Sequence, residues 1–212
     1  MPYLAYASVI PVIIATAVAV IRFKRLEPAL RCLAYLVVFA AVIELVSRGM
    51  VALQRPNLFL FPIDTLVEFG LLAWMYRRAF WPSAVSRGLP VVVSVFSLVS
   101  LLSYTEPANL FHFNALQRFA ESFLVLGLVL LYFYKVIREL VIVHLEREPM
   151  FWVSVGLLLY FSGNVFIFVS SNYVLQHSEA LSLRLWNIHA LLYMALYSLY
   201  AVALWISPSI RK

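Results

Sequence analysis

Long apolar stretches dominate the chain and are separated by short segments that contain charged residues, proline and glycine. A transmembrane helix needs about 20 predominantly apolar residues, and each stretch is close to that length. The pattern therefore predicts an all-α fold, an integral membrane seven-helix bundle forming a single domain over residues 1–212. The predicted spans are residues 3–21, 30–53, 58–76, 89–105, 113–137, 150–173 and 184–206. Because the connections are short, consecutive helices should be antiparallel neighbours.

The composition supports a membrane protein. The chain is 64% hydrophobic and 12% charged, whereas soluble domains carry about 25% charged residues. A net charge of +6 would suit a nucleic-acid-binding protein if the chain were soluble. Here the lysines and arginines lie at the ends of the apolar stretches, where anionic lipids and membrane topology account for them. The expected partner is therefore the lipid bilayer and not nucleic acid.

The distribution of basic residues predicts the orientation of the bundle. Twelve of the sixteen lysines and arginines fall on one side of the predicted membrane. The positive-inside rule places that side in the cytoplasm, so the N-terminus is expected outside and the C-terminus in the cytoplasm. The cytoplasmic segment 135–149 keeps apolar residues at helical spacing. It is expected to prolong the fifth helix until Pro149 begins the sixth.

Polar and ionisable side chains interrupt five of the predicted spans. A charged side chain at the bilayer centre costs about 2.5–3.5 kcal/mol on insertion scales, so these groups are expected to face the bundle interior. A rise of about 1.5 Å per residue places them in the outer half of the membrane. The candidate ligand-binding residues are Glu44, Arg48, Asp64, Glu68, Gln117, Arg118, Glu121, Asn164, Asn187, His189 and Tyr193.

The charged members of this set share helix faces and are unbalanced in sign. Asp64 and Glu68 are four residues apart and therefore project from one side of their helix. The set holds four carboxylates and two guanidinium groups, so an acid without a base would hold a proton or a cation. The simplest arrangement is a water-accessible cavity open to the outside, in which Arg48 and Arg118 balance part of the acids. A closed salt-bridge network that only fixes helix packing stays open as the alternative.

Other chemistry has weaker support in the sequence. His189 has no second histidine at metal-ligand spacing, so neither a metal nor a cofactor is predicted. A zinc site from His189, His112 and an acid stays open as an alternative. The last span contains no lysine that could anchor retinal, and phosphate-binding and nucleophile motifs are missing. The single cysteine, Cys32, excludes an internal disulfide.

Several strings resemble a group of small bacterial seven-helix membrane proteins. They are FWVSVGLLLYFSGNVF and LWNIHALLYMALYSLYAVALW in the last two spans, ExxSR in the second and LVEFGLL in the third. The resemblance covers nearly the whole chain. It implies a protein of the bacterial inner membrane that works beside a partner such as a sensor kinase, and it implies no reaction. The residues that belong to its pattern are Glu44, Ser47, Arg48, Glu68, Glu121, Ser162, Asn164 and His189.

Three functions are compatible with these observations. The first is a sensor or receptor-like module that binds a small polar or cationic ligand, or protons, in an outward-facing polar cavity and signals through a separate partner. The second is a small-solute or proton-coupled transporter in which Glu68 and Glu121 titrate, favoured by a weak repeat that aligns spans three and seven. The third is an intramembrane metal-dependent hydrolase in which an acid and His189 activate water. A metal-dependent hydrolase needs at least three converging ligands, and His189 is the only histidine at the depth of the other polar residues. An enzyme is therefore the least favoured of the three.

Overall fold

The computed structural model describes residues 4, 7–104, 115–139, 144–177 and 179–208. Seven α-helices and two short 3-10 helices account for most of these residues, and no strand occurs among them. The α-helices are α1 (Val9–Arg22), α2 (Pro28–Ala52), α3 (Leu60–Ala79), α4 (Ala84–Ser103), α5 (Ala115–Glu139), α6 (Pro149–His177) and α7 (Glu179–Ile206). The 3-10 helices are Phe23–Arg25 and Leu145–Arg147. The predicted all-α fold is confirmed.

Five of the helices, α2, α4, α5, α6 and α7, are long and apolar enough to cross a membrane. The other two differ for separate reasons: α1 has 14 residues, and α3 carries Asp64, Glu68 and two arginines near its end. Large apolar side chains such as Ile13, Val95 and Leu98 lie exposed on the outer surfaces of the helices. Contact of such surfaces with lipid is favourable, whereas their contact with water is unfavourable.

Six of the helices pack in a ring. α1 lies between α2 and α7, α3 contacts α2 and α5, and α6 lies between α5 and α7. α4 lies outside the ring and packs on α3. The expectation that all consecutive helices are neighbours is therefore wrong for α4 and α5, which share no extended interface among the described residues. Ion pairs between α3 and α5, described below, hold α5 in the ring, whereas α4 offers mainly apolar side chains.

Contacts at the helix ends give the directions of the helices. Arg22 Nη2 donates to the backbone carbonyl of Ser207 over 2.6 Å, where α1 and α7 both end. Lys135 Nζ donates to the carbonyl of Ala79 over 2.8 Å, close to the ends of α5 and α3. These contacts make α1 parallel to α7 and α3 parallel to α5. Short connections reverse the chain between α1 and α2 and again between α2 and α3, and these neighbours pack on each other, so all four helices run in the same direction. We call the end of the bundle marked by Arg22 and Lys135 the basic end.

The half of the bundle next to the basic end has a tightly packed core. Tyr76 on α3 and Ser154 on α6 are both buried, and their hydroxyl oxygens lie 2.8 Å apart. α6 and α7 approach each other closely at Gly156, where an added Cβ would lie 3.2 Å from Leu196 Cδ1. This close approach fixes the relative position of two helices that contribute to the site described below.

Two predicted connections are more helical than expected. α4 begins at Ala84 because Ser83 caps it, its side chain accepting a hydrogen bond from the backbone N–H of Ser86 over 3.3 Å. The segment predicted as a turn between the last two spans is largely helical, since α6 continues to His177 and α7 begins at Glu179.

The expected extension of the fifth helix is correct only in part. α5 continues to Glu139, but the chain forms a 3-10 helix over Leu145–Arg147 before Pro149 begins α6 as predicted. Proline favours the first turn of a helix because it has no N–H to leave unpaired there. Residues 140–143, and residues 3, 5, 6, 105, 113 and 114 of the predicted spans, lie outside the described residues.

Candidate functional site

A cavity of about 320 Å³ lies between the helices in the half of the bundle away from the basic end. Its wall contains residues from α2, α3, α5, α6 and α7, together with Ser8 just before α1. The helices that contribute most of the wall belong to the ring, so the cavity lies inside it. Seven of the predicted site residues line the cavity, namely Glu44, Arg48, Asp64, Glu68, Arg118, His189 and Tyr193.

Arg118 on α5 joins three carboxylates into one cluster. Its Nη2 lies 2.6 Å from Asp64 Oδ2, and its Nη1 lies 3.0 Å from Glu68 Oε2 and 3.0 Å from Glu121 Oε2. We call these four residues the arginine cluster. Helical spacing explains how two helices supply it, because Asp64 and Glu68 share one face of α3, and Arg118 and Glu121 share one face of α5. Three carboxylates and one guanidinium leave a surplus of negative charge when all are ionised.

Exposure of the carboxylates falls steadily through the arginine cluster. The Asp64 side chain is 25% exposed, that of Glu68 is 13% exposed, and that of Glu121 is fully buried at 0%. Glu121 Oε1 is also buried and has no hydrogen-bond partner in the described structure. Burying an oxygen acceptor without a donor is unfavourable by about 1–3 kcal/mol. This oxygen is therefore the point of the cluster that most requires a proton or a positive partner.

A second ion pair lies at the more exposed edge of the cavity. Arg48 Nη2 lies 2.6 Å from Glu44 Oε1, within one turn of α2. Next to it, Asn57 Nδ2 donates to Ser47 Oγ over 2.6 Å and ties the connection after α2 to that helix. The Glu44 carboxylate thus has a local partner on its own helix, in contrast to the shared arginine of the cluster.

Another part of the cavity wall, formed by α6 and α7, is aromatic. His189 Nδ1 lies 2.9 Å from Asn164 Oδ1, which joins α7 to α6. The His189 ring centroid lies 5.8 Å from that of Tyr160, 5.6 Å from that of Trp186 and 6.3 Å from that of Tyr193. We call Tyr160, Trp186, His189 and Tyr193 the aromatic wall. All four line the cavity, whereas Asn164 is buried behind them and positions His189.

Four predicted site residues do not line the cavity. Glu121 and Asn164 lie behind it and contact lining residues directly, as described above. Gln117 is buried and accepts a hydrogen bond from the Tyr104 hydroxyl at the end of α4. Asn187 is partly buried on α7 and does not belong to the cavity lining.

The predicted set omits aromatic residues that line the cavity. Tyr160 lies four residues before Asn164 on α6, and Trp186 lies three residues before His189 on α7. Helical spacing therefore places each of them on the same face as a predicted polar residue. This spacing is the signal that could have identified them, although aromatic residues inside apolar helices resemble ordinary packing residues.

The described part of the site does not present a set of metal ligands. Among the described residues, no group of three or more His, Cys, Asp or Glu side chains is arranged to hold a metal. His112, which the alternative zinc site requires, lies outside the described residues. The site can instead accept hydrogen bonds through its carboxylates and attract positive charge through carboxylates and aromatic rings.

Comparison with known proteins adds no relative. The chain matches no protein-family model, no curated protein and no solved structure. The described residues of the chain form an all-helical protein in which five helices are long and apolar enough to cross a membrane.

Proposed function

We propose that this protein is a sensor or receptor-like module of the bacterial inner membrane that binds a small cation, or protons, in its cavity and signals through a separate partner. One observation carries the proposal: a single arginine is shared by three carboxylates in and behind the wall of a cavity of about 320 Å³. Ligand pockets have volumes of about 300–1,000 Å³, so this cavity has the size for a small ligand.

In this proposal all seven helices cross the membrane, with the N-terminus outside and the C-terminus in the cytoplasm. The charged residues Asp64 and Glu68, which make α3 less apolar, pair with Arg118 inside the bundle. The surface that α3 presents to lipid is therefore more apolar than its composition suggests. Placing the basic end in the cytoplasm agrees with the positive-inside rule, and the cavity then faces the outside.

A purely structural network explains the cluster less well. In a network that only fixes helix packing, surplus acids have no role and must hold a proton, because each uncompensated buried charge is destabilising. The arginine cluster instead has surplus carboxylates beside an internal space. The Glu44–Arg48 pair, which is balanced and local, fits the structural role that the cluster does not.

Signalling requires that an occupied cavity changes the packing of the helices. The arginine cluster joins α3 to α5, and the aromatic wall joins α6 to α7. A ligand that contacts both helix pairs would draw them together, which is a closure around the ligand. The basic end, with the 3-10 helix Leu145–Arg147 before α6, is the surface that we assign to a partner such as a sensor kinase.

A transporter is the second candidate, and one observation favours it. The hydroxyl oxygens of Tyr132 and Tyr200 are buried in the half next to the basic end and have no hydrogen-bond partner in the described structure. Such groups could line a path for protons or solute between the cavity and the basic end. Tyr76 and Leu204 are fully buried in the same half of the bundle, so this half is densely packed. Dense packing closes a path between the cavity and the basic end and therefore favours sensing over transport.

Thermal unfolding of the detergent-solubilised protein tests the proposal. A bound ligand stabilises the folded state by about 2.7 kcal/mol at a hundredfold excess over Kd. We expect a cation or a change of pH to raise the unfolding temperature of the wild type and of Glu139→Gln, whose side chain lies exposed at the basic end. Glu68→Gln should abolish the shift. Equal shifts in the wild type and Glu68→Gln, or no shift with any cation at any pH, would contradict the proposal.

A further inference from the structure

Two parts of the cavity wall differ in chemistry, and together they define a class of ligand. Asp64 and Glu68 supply negative charge from α3, and the aromatic wall supplies ring surfaces from α6 and α7. We propose that the cavity binds a primary or secondary organic ammonium ion with a short apolar body. This inference rests on the proposed function and names the ligand of the same site.

The carboxylates have acceptor capacity that Arg118 does not use. Arg118 contacts one oxygen of Asp64 and one oxygen of Glu68, namely Oδ2 and Oε2. The second oxygen of each carboxylate remains for another donor. An ammonium group has up to three N–H donors, and charge-assisted hydrogen bonds to carboxylates are roughly twice as strong as neutral ones.

The aromatic wall favours an organic cation over a metal ion. Ca²⁺ and Mg²⁺ need about six oxygen ligands, which aromatic rings do not provide. Ammonium groups are attracted to ring faces by about 0.5–2 kcal/mol. The cavity already contains one such contact, because the guanidinium carbon of Arg118 lies 5.9 Å from the centroid of the Phe61 ring. The charge of Arg118 itself also opposes a divalent ion beside it.

His189 adds a preference for a cation that carries N–H groups. With Asn164 Oδ1 as the acceptor, the proton of the neutral imidazole lies on Nδ1. His189 Nε2 is then an acceptor on a ring that lines the cavity. A primary or secondary ammonium can donate to this nitrogen, whereas a quaternary ammonium has no N–H to donate.

The remaining lining of the cavity suits a short hydrocarbon body. Leu36, Ala40 and Ile43 on α2 contribute apolar surface to the same cavity. A volume of about 320 Å³ lies at the small end of the range for ligand pockets. The site therefore fits an amine with a few carbon atoms better than a large polycation.

The test compares butylamine, tetramethylammonium, Na⁺ and Mg²⁺ as chlorides on the full chain in detergent and amine-free phosphate buffer. Isothermal titration gives affinities, and thermal unfolding gives an independent signal. We expect butylamine to bind saturably and tetramethylammonium to bind roughly tenfold more weakly. Trp186→Leu should weaken butylamine binding roughly tenfold, and Trp205→Leu, which removes an exposed tryptophan at the other end of α7, should not change it.

Each outcome separates this inference from the proposed function. Stabilisation by Na⁺, Mg²⁺ or pH alone, without an effect of butylamine, overturns the ammonium ligand and leaves a cation-binding module. Tetramethylammonium binding as tightly as butylamine also overturns the inference, because the N–H groups would then be irrelevant. No effect of any cation or of pH overturns both. Should Trp186→Leu fail to fold, Trp186→Phe, which keeps a smaller ring, is expected to bind butylamine with intermediate affinity.

Discussion

Arg118 Nη1 lies 3.0 Å from Glu121 Oε2, less than one helical turn away on α5, and the Glu121 side chain is fully buried. The same guanidinium contacts Asp64 and Glu68 on α3. The Arg118 side chain thus compensates the charge of Glu121 on α5 and also holds α3 beside α5. The contact between Arg118 and the two α3 carboxylates joins α3 directly to α5 and so closes the ring of six helices without α4.

Arg118→Gln is expected to destabilise the protein strongly. Removing one partner of a buried ion pair leaves uncompensated charge and costs about 3–5 kcal/mol. A large decrease in the thermal unfolding temperature in detergent at neutral pH would show this. Arg48→Gln is the matched control, because its local pair with Glu44 is more exposed and such pairs contribute about 0–1 kcal/mol. Equal effects of the two substitutions would mean that the cluster does not hold α5 against α3.

Asn164→Leu is expected to destabilise the folded protein by about 1–3 kcal/mol, because His189 Nδ1 would lose its partner inside the bundle. The readout is again the thermal unfolding temperature. Ser162→Ala provides a control on the same helix, since the Ser162 hydroxyl donates to the backbone carbonyl of Leu159 in its own helix. An Asn164→Leu protein as stable as Ser162→Ala would show that Asn164 does not position His189.

A double-mutant cycle can measure the contact between α3 and α6. The hydroxyls of Tyr76 and Ser154 are 2.8 Å apart and buried, and a buried hydrogen bond contributes about 0.5–1.5 kcal/mol. Tyr76→Phe and Ser154→Ala should each destabilise the protein, and the double variant should lose less than the sum of the two. Tyr134→Phe, which alters an exposed tyrosine, should be neutral. Strict additivity of the two changes would contradict a direct hydrogen bond.

The stability of the protein is expected to depend on pH through Glu148, which lies just before α6 and outside the predicted spans. Partial burial raises the pKa of its carboxyl above the ordinary value of 4.5, the backbone N–H of Met150 opposes this change, and the charge of Glu27 adds to it. The folded protein then binds this proton more tightly than the unfolded chain. The contribution of Glu148 to stability is therefore present below pH 4.5 and is lost as the pH rises through the raised pKa.

Glu148→Gln should accordingly be more stable than the wild type at neutral pH and similar to it at acidic pH. Thermal unfolding between acidic and neutral pH measures the difference. The neighbouring Glu146→Gln alters an exposed side chain and should follow the wild-type profile. A Glu148→Gln protein that is less stable than the wild type at neutral pH would contradict the sign of this effect.

Accessibility labelling tests the outward-facing cavity. In a Cys32→Ala background, Ala190→Cys places a thiol in the cavity wall and Ala203→Cys places one in the buried core towards the basic end. A membrane-impermeant maleimide applied from outside the cell should modify the first and not the second. Protection of Ala190→Cys in intact cells, followed by reaction after the membrane is opened, would contradict the proposed orientation.

The sequence predicts most of the fold because membrane helices need long apolar stretches, and these stretches leave few alternatives. It does not predict that α4 leaves the ring. Hydropathy reports how apolar a helix is, but not which neighbour it contacts. The position of α5 depends on Arg118 contacting Asp64 and Glu68, which are 54 and 50 residues away in sequence.

The charged residues of the site can be predicted from the sequence, whereas its aromatic residues cannot. A charged side chain is unfavourable inside the membrane, so the presence of Asp64, Glu68 and Arg118 in apolar spans identifies them as candidate site residues. Tyr160 and Trp186 are compatible with simple packing, and only their positions beside His189 in the folded chain identify them as a wall. The pairing of Asn164 with His189 likewise depends on the crossing of α6 and α7.

The closure of the ring by α1 and α7 has a consequence for biogenesis. Arg22 and Ser207, which meet at this closure, are 185 positions apart in the chain. In the proposed seven-span topology, α1 enters the membrane long before its partner is translated, so one of its faces must first contact lipid or an insertion factor. The cavity is complete only when α7 adds its residues to the wall. A ribosome-bound intermediate that contains α1 to α6 would therefore be inserted in the membrane but unable to bind ligand, and closure of the ring would be a late step in folding.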